Sequence, residues 1–339
     1  MEEFSNPPTS EVPKLSDVAA LAGVSTATVS RCLNMPDRVS KKTLKSVMDA
    51  IDELGYSPNY SARALAAGRT NTIGAIIPTM ENAIFARGIQ AFQEELQNNG
   101  CTLLVASSSY RPDLEEDQIR TLTARGADAL LLIGYDRDPQ IYEFLEKRRI
   151  PTVLTWAADR TGKHLSIGFD NRNAMKALAN EVIAKGHRTL GYISAETATN
   201  DRARERVEGV WDAMRAADID PASLRLVETT YSIENGEAAF EKLMADDNPP
   251  TAVMCGNDVL AVGALRAATA QNLRVPEDVA ITGFDDIELA SVAPIPLTTV
   301  HVPHRRMGQL AAQALIDTLN GLKPESVELP TSICRRNTL

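Results

Sequence analysis

The sequence predicts an α/β chain with a small helical unit at its amino end and two doubly wound parallel lobes behind it. Three observations predict this. Between residues 15 and 58 the apolar residues keep helical spacing, broken at Gly23 and Gly55. From Thr72 onward, short apolar runs alternate with helical stretches, the pattern of βα units. That region runs for about 270 residues, long for one such sheet, so two lobes with a ligand cleft between them fit better.

Taken in order, residues 1–14 are rich in Pro, Ser and Glu and read as a disordered tail. Ser16 is placed to cap a first helix, Asp17 to Ala22, with Val18 and Leu21 inward. Gly23 ends it, and Ser25 caps a second helix reaching about Asn34, with Val29 and Leu33 inward. Ser40 opens a third, whose Leu44, Val47, Met48, Ile51 and Leu54 share one stripe, and Gly55 closes it. An alanine-rich stretch and a linker, 59–70, follow. Buried parallel strands are expected at Ile73–Ile77, Leu103–Ala106, Ala129–Ile133, Thr152–Leu154, Leu190–Ile193, Ala252–Cys255 and Val279–Ile281, with a crossover at Ser166–Gly168 and a last strand at Val327–Arg335. The predicted domains are therefore 15–58, 59–70 and 71–339. Within the last, one lobe takes about 71–167 and 300–325, and the other about 168–299 and 326–339.

Composition narrows the function. The 339 residues carry a net charge of −10, yet residues 15–70 hold seven Lys/Arg against five Asp/Glu, and residues 71–339 hold 27 against 37. A small basic module on an acidic body suits nucleic-acid contact confined to one face. No apolar run approaches the ~20 residues of a membrane span, and the polar start has no apolar leader core, so a cytoplasmic protein is expected. The four cysteines and four histidines show no metal spacing, which points to buried free thiols with no metal and no cofactor. No GxGxxG, P-loop or GxSxG pattern argues for an enzyme.

The stretch LSDVAALAGVSTATVSRCL, residues 15–33, has the helix, glycine turn and helix of a helix-turn-helix. Small residues at the start of the second helix let it enter a major groove. Polar and aromatic residues after predicted strands mark the cleft: Phe85, Trp156, Asp170, Arg204, Arg206, Asn257, Asp258 and Asp285. Asn257 reads equally well as a helix cap, and Asp286 as a solvated or capping acid.

These segments, with GFDN, GHRTLGYIS, RARERVEGV, LRVPEDVAITGFDD and PLTTVHVP, resemble the LacI/GalR family of bacterial repressors over residues 15–339. GFDN and RRMGQ resemble its gluconate-repressor branch. The resemblance implies a two-lobed effector domain like that of periplasmic binding proteins. It implies operator contacts at Ser25, Thr26, Ala27, Ser30 and Arg31, with Thr26 and Ala27 as main readers and Tyr56 and Asn59 at the DNA backbone. It also implies a hinge helix over 59–67 whose Leu65 wedges into the minor groove. Arg206, three residues before Gly209, and Asp285 match the family's effector contacts; Tyr231 matches an aromatic that stacks on the ligand, and Phe85 and Trp156 are weaker matches. Carboxylate, guanidinium and aromatic faces suit a sugar or sugar acid. With no trailing leucine heptads, a homodimer on a pseudo-palindromic operator is expected. A transporter's solute-binding protein, the other reading of the two-lobed fold, would have a leader and no helix-turn-helix.

Overall fold

The computed structural model describes residues 12–57, 69–81 and 83–339. Asn59, Leu65 and the expected hinge helix lie outside the described residues. The chain divides between Thr70 and Asn71 into two compact units.

The first unit contains α1 (Leu15–Ala22), α2 (Thr26–Asn34) and α3 (Lys41–Leu54). Val18, Ala19, Val29, Cys32, Val47, Ala50 and Ile51 form its buried centre. Gly23, at φ 66°, ends α1 in the left-handed conformation that lets the chain turn at once into α2. Ser25 and Ser40 cap α2 and α3, accepting from the Thr28 and Thr43 amides at 3.2 Å each. Each such cap contributes about 1 kcal/mol. Ser16 is no cap: the helix starts at Leu15, where Asp17 accepts from the Lys14 amide at 2.7 Å. Leu21 and Met48 are exposed rather than inward, because three short helices bury only a narrow stripe each.

In the second unit, β1 (Thr72–Ile77), α4 (Ala86–Asn98), β2 (Thr102–Ser107), α5 (Pro112–Ala124), β3 (Ala129–Ile133), α6 (Pro139–Arg148), β4 (Thr152–Thr155) and β5 (Ser166–Gly168) build the amino-terminal lobe. The carboxyl-terminal lobe follows with α7 (Asn171–Ala184), β6 (Leu190–Ser194), α8 (Asp201–Ala216), β7 (Arg225–Glu228), α9 (Ile233–Met244), β8 (Ala252–Cys255), α10 (Asp258–Ala270), β9 (Ala280–Thr282) and α11 (Glu288–Val292). The chain then runs through β10 (Thr299–His301), α12 (His304–Leu319), β11 (Val327–Glu328) and β12 (Ser332–Cys334). The sheet orders are β11-β5-β4-β3-β1-β2 and β7-β6-β8-β9, with every pairing parallel. In each lobe the first strand sits between the second and third, so the order reverses beside it. Loops leaving the carboxyl ends there open a crevice.

Two further expectations about strands and cysteines change. The single strand at Val327–Arg335 is two strands, and residues 327–329 belong to the amino-terminal lobe. Val327 pairs with Ile167, and the Leu329 amide donates to Gly168 O at 2.7 Å. Pro330, which has no N–H, ends that ladder, and β12 then pairs antiparallel with β10. The cysteines are not all buried: Cys32 and Cys255 are, whereas Cys101 and Cys334 are half-buried. No described helix is long and apolar enough to cross a membrane.

Candidate functional site

On α2, Val29 and Cys32 face the core, so the opposite stripe is free. Thr26, Ala27 and Arg31 are exposed there and Ser30 is half-buried. Asn34 continues the stripe and donates to Ser30 Oγ at 3.3 Å. Ser25 is exposed, but its hydroxyl is engaged in the cap. Tyr56 is half-buried against the three-helix core. The face is short, polar and carries one guanidinium, which suits major-groove entry.

In the second unit, loops from both lobes converge on a small, partly open cleft. Phe85, Trp156, Arg206, Tyr231, Asn257 and Asp285 line it, each placed just after a strand or in the first turns of the following helix. Ile84, Tyr110, Asn200 and Arg202 line it too, and sequence reasoning missed them. Tyr110 sits in the loop after β2, at the carboxyl edge where such residues are expected.

Asp285 is 1 % exposed, and neither carboxylate oxygen has a hydrogen-bond partner. Its φ of 100° lies in the left-handed region, a conformation worth about 1–3 kcal/mol of strain in a non-glycine residue. The backbone is held there by its amide to Val300 O at 2.9 Å and by His304 Nε2 on its carbonyl at 3.1 Å. Arg206 Nη2 lies 3.8 Å from Asp285 Oδ1, too far for a hydrogen bond. The guanidinium is anchored elsewhere: Nε donates to Asn171 Oδ1 at 2.8 Å, Nη1 to Gly256 O at 2.6 Å, and its plane sits 3.8 Å over the Phe284 ring. Gly209 positions Arg206, since a Cβ there would lie 2.3 Å from Arg172 O and push α8 off α7. A fixed cation and a carboxylate that accepts no hydrogen bond thus face one space, both open to a polar ligand.

The other walls are aromatic. Phe85 meets Trp156 edge to face, with ring centroids 5.2 Å apart, and Tyr110 lies 5.5 Å from Tyr231. Burial raises the phenol pKa of Tyr110 and Tyr231, so both stay neutral donors. Trp156 Nε1 and Asn257 Nδ2 are buried without partners. Asn257 is a helix cap, its Oδ1 accepting from the Leu260 amide of α10 at 2.9 Å, while its Nδ2 stays without a partner beside the cleft. Burial also lowers the His304 pKa, which keeps that imidazole neutral beneath Asp285.

The lobes also touch directly. Asn171 Nδ2 donates to Trp156 O at 2.9 Å, linking Trp156 to Arg206 through one side chain. At the rim, Arg202 Nη1 donates to Ile133 O at 3.2 Å, Arg204 pairs with Asp136 at 2.9 Å and Tyr135 OH donates to Glu205 at 2.8 Å. Arg204 is therefore a rim group rather than a cavity group. Buried Asp258 is structural, accepting from Thr299 Oγ1 at 2.5 Å and the Ile287 amide at 2.8 Å. Asp170 does not line the cavity. It caps α7 through the Asn173 amide at 2.9 Å and pairs with Arg160, so its oxygens are already satisfied. Asp286 is not a solvated acid: it binds Arg336 and His301.

The chain matches the bacterial regulatory proteins of the lacI family over residues 14–59 and a periplasmic binding protein-like domain over residues 179–339. It is 33% identical over 330 residues to the HTH-type transcriptional repressor PurR of Serratia proteamaculans, covering 96% of each chain. The chain belongs to the LacI family. The lac repressor dimer bound to operator and the anti-inducer ONPF superposes with a TM-score of 0.84 at 28% identity, covering 97% of this chain and 99% of that one. The CelR regulator in complex with cellobiose gives 0.70 at 28% identity, covering 96% and 99%. As a LacI-family regulator, this chain is a DNA-binding transcription regulator under effector control, and its relatives are transcriptional repressors.

Proposed function

We propose that the chain is a homodimeric repressor whose operator affinity is set by a sugar or sugar acid bound between the lobes. The observation that carries this is the buried carboxylate of Asp285, with both oxygens unpartnered, facing Arg206 and aromatic walls. Asp285 accepts from a pair of hydroxyls, Arg206 and Asn257 donate to ligand oxygens, and Tyr231, Phe85 and Trp156 cover the apolar faces of the ring. Four aromatic side chains favour a second reading, a flat nitrogen heterocycle whose ring N–H groups meet Asp285.

On the DNA side, Thr26, Ala27, Ser30 and Arg31 read base edges and Tyr56 approaches the backbone. Exposed Leu104 and Val105 on edge strand β2 support a dimer, and a dimer implies a pseudo-palindromic operator. The protein works where its operator is, in the cytoplasm, as a switch rather than an enzyme. Arg31→Ala should weaken operator binding by about 1–3 kcal/mol and leave effector affinity unchanged; operator affinity equal to wild type at physiological salt removes Arg31 from the interface.

The direct test is thermal denaturation of the full chain with monosaccharides, sugar acids, nucleobases and nucleosides. A ligand at 100 times its Kd stabilises by about 2.7 kcal/mol. A shift with one sugar class supports the first reading and a shift with nucleobases the second. No shift across the panel overturns both.

A further inference from the structure

The residue after Asp285 gathers a different set of groups. Asp286 does not line the cavity. Its Oδ2 lies 2.8 Å from His301 Nδ1 and 3.5 Å from Cys334 Sγ, and the three ligand atoms lie within 4.8 Å of one another. The fold creates this meeting. His301 is the last residue of β10 and Cys334 the last of β12. In their antiparallel ladder His301 faces Ser332 and Thr299 faces Cys334, so alternation puts His301 and Cys334 on one face. The loop after β9 brings Asp286 onto that face. Such a set is invisible to spacing along the chain.

We propose that Asp286, His301 and Cys334 form a zinc site where the chain crosses between the lobes. Thiolate, imidazole and carboxylate together suit a borderline-soft ion and disfavour Mg²⁺ and Ca²⁺, which take oxygen ligands. Bonds of about 2.0–2.3 Å in a tetrahedron place neighbouring ligand atoms roughly 3.3–3.7 Å apart. The present separations, 2.8 and 3.5 Å from Asp286 Oδ2 and within 4.8 Å across the set, need only side-chain adjustment to reach that. The His301 side chain is 45 % exposed, which leaves an entry path and a solvent ligand for the fourth position.

Arg336 opposes and organises the site. Its Nη2 donates to Asp286 Oδ1 at 2.6 Å and its Nη1 to Leu297 O at 2.9 Å. The carboxylate is thereby oriented with Oδ2 left for the ion, as an outer-shell partner does. The same positive charge makes the site weaker than a closed four-ligand structural zinc site. Binding expels the Cys334 thiol proton and any proton on His301 Nδ1, so affinity rises with pH. The ion would tie the Asp285–Asp286 loop to both crossing strands, linking metal occupancy to effector affinity.

The test uses reduced, metal-free, full-length protein titrated with Co²⁺. One equivalent should give the thiolate-to-cobalt charge-transfer band and the visible bands of a tetrahedral centre, and Zn²⁺ should displace it. C334S should abolish the charge-transfer band, C101S should keep it, and H301Q should weaken Co²⁺ binding at least tenfold. Melting of each variant without metal shows whether it is folded. No band with wild type at stoichiometric Co²⁺, or an equal band in folded C334S, overturns the site. If C334S does not fold, H301Q decides: unchanged Co²⁺ affinity overturns the site.

Discussion

The amino-terminal lobe brings Ile84, Phe85, Tyr110 and Trp156 to the cavity, whereas the carboxyl-terminal lobe brings Asn200, Arg202, Arg206, Tyr231, Asn257 and Asp285. Both lobes present these residues from the carboxyl ends of strands with the same relative order. One wall is therefore mainly apolar and aromatic, the other mainly charged and hydrogen-bonding. The shared topology supplies the place, and the loops supply the chemistry. The contrast suggests a division of labour. On the proposed function, the carboxyl-terminal wall would hold and orient the ligand and the amino-terminal wall would cover it, so that binding would select one relation between the lobes.

The largest effect should follow from Arg206→Gln. This side chain holds Asn171 and Gly256 O and faces Asp285, so its loss leaves a buried carboxylate without a cation. We expect about 3 kcal/mol or more of lost stability and at least tenfold weaker effector binding, read by denaturant unfolding and calorimetry. Retained stability with retained affinity would break the division between the walls. Phe85→Leu keeps an apolar side chain but removes the ring. It should weaken effector binding by roughly 0.5–1.5 kcal/mol and leave effector-free operator affinity unchanged. A loss as large as that of Arg206→Gln would make the aromatic wall the dominant one. Arg204→Ala should be smallest. Its pair with Asp136 is partly exposed, so less than about 1 kcal/mol is at stake in either stability or effector affinity.

Much of this arrangement was legible in the sequence. Serines at Ser25 and Ser40, glycines at Gly23 and Gly55, and helical spacing outlined the first unit. Apolar runs marked the central strands because parallel strands are buried on both faces. Edge strand β7, RLVE, escaped because only two apolar residues lie between its charged ends, and Tyr231 behind it was reached only by resemblance. Asp170 looked like a cavity acid because it follows a strand; that position is also where a helix cap belongs, and the cap uses it. Asn171, beside it in GFDN, proved to bridge the lobes, a role that pairing across 15 and 35 residues does not announce in one dimension.

The central claim is that Asp285 reads the effector and the helix-turn-helix reports it. It is tested most directly by titrating the effector into operator complexes of wild type and Asp285→Asn, a substitution that keeps shape and tolerates positive φ. The account predicts equal operator affinity without effector, a clear shift for wild type, and none for the variant over the same range. A variant that responds at the wild-type concentration would contradict it.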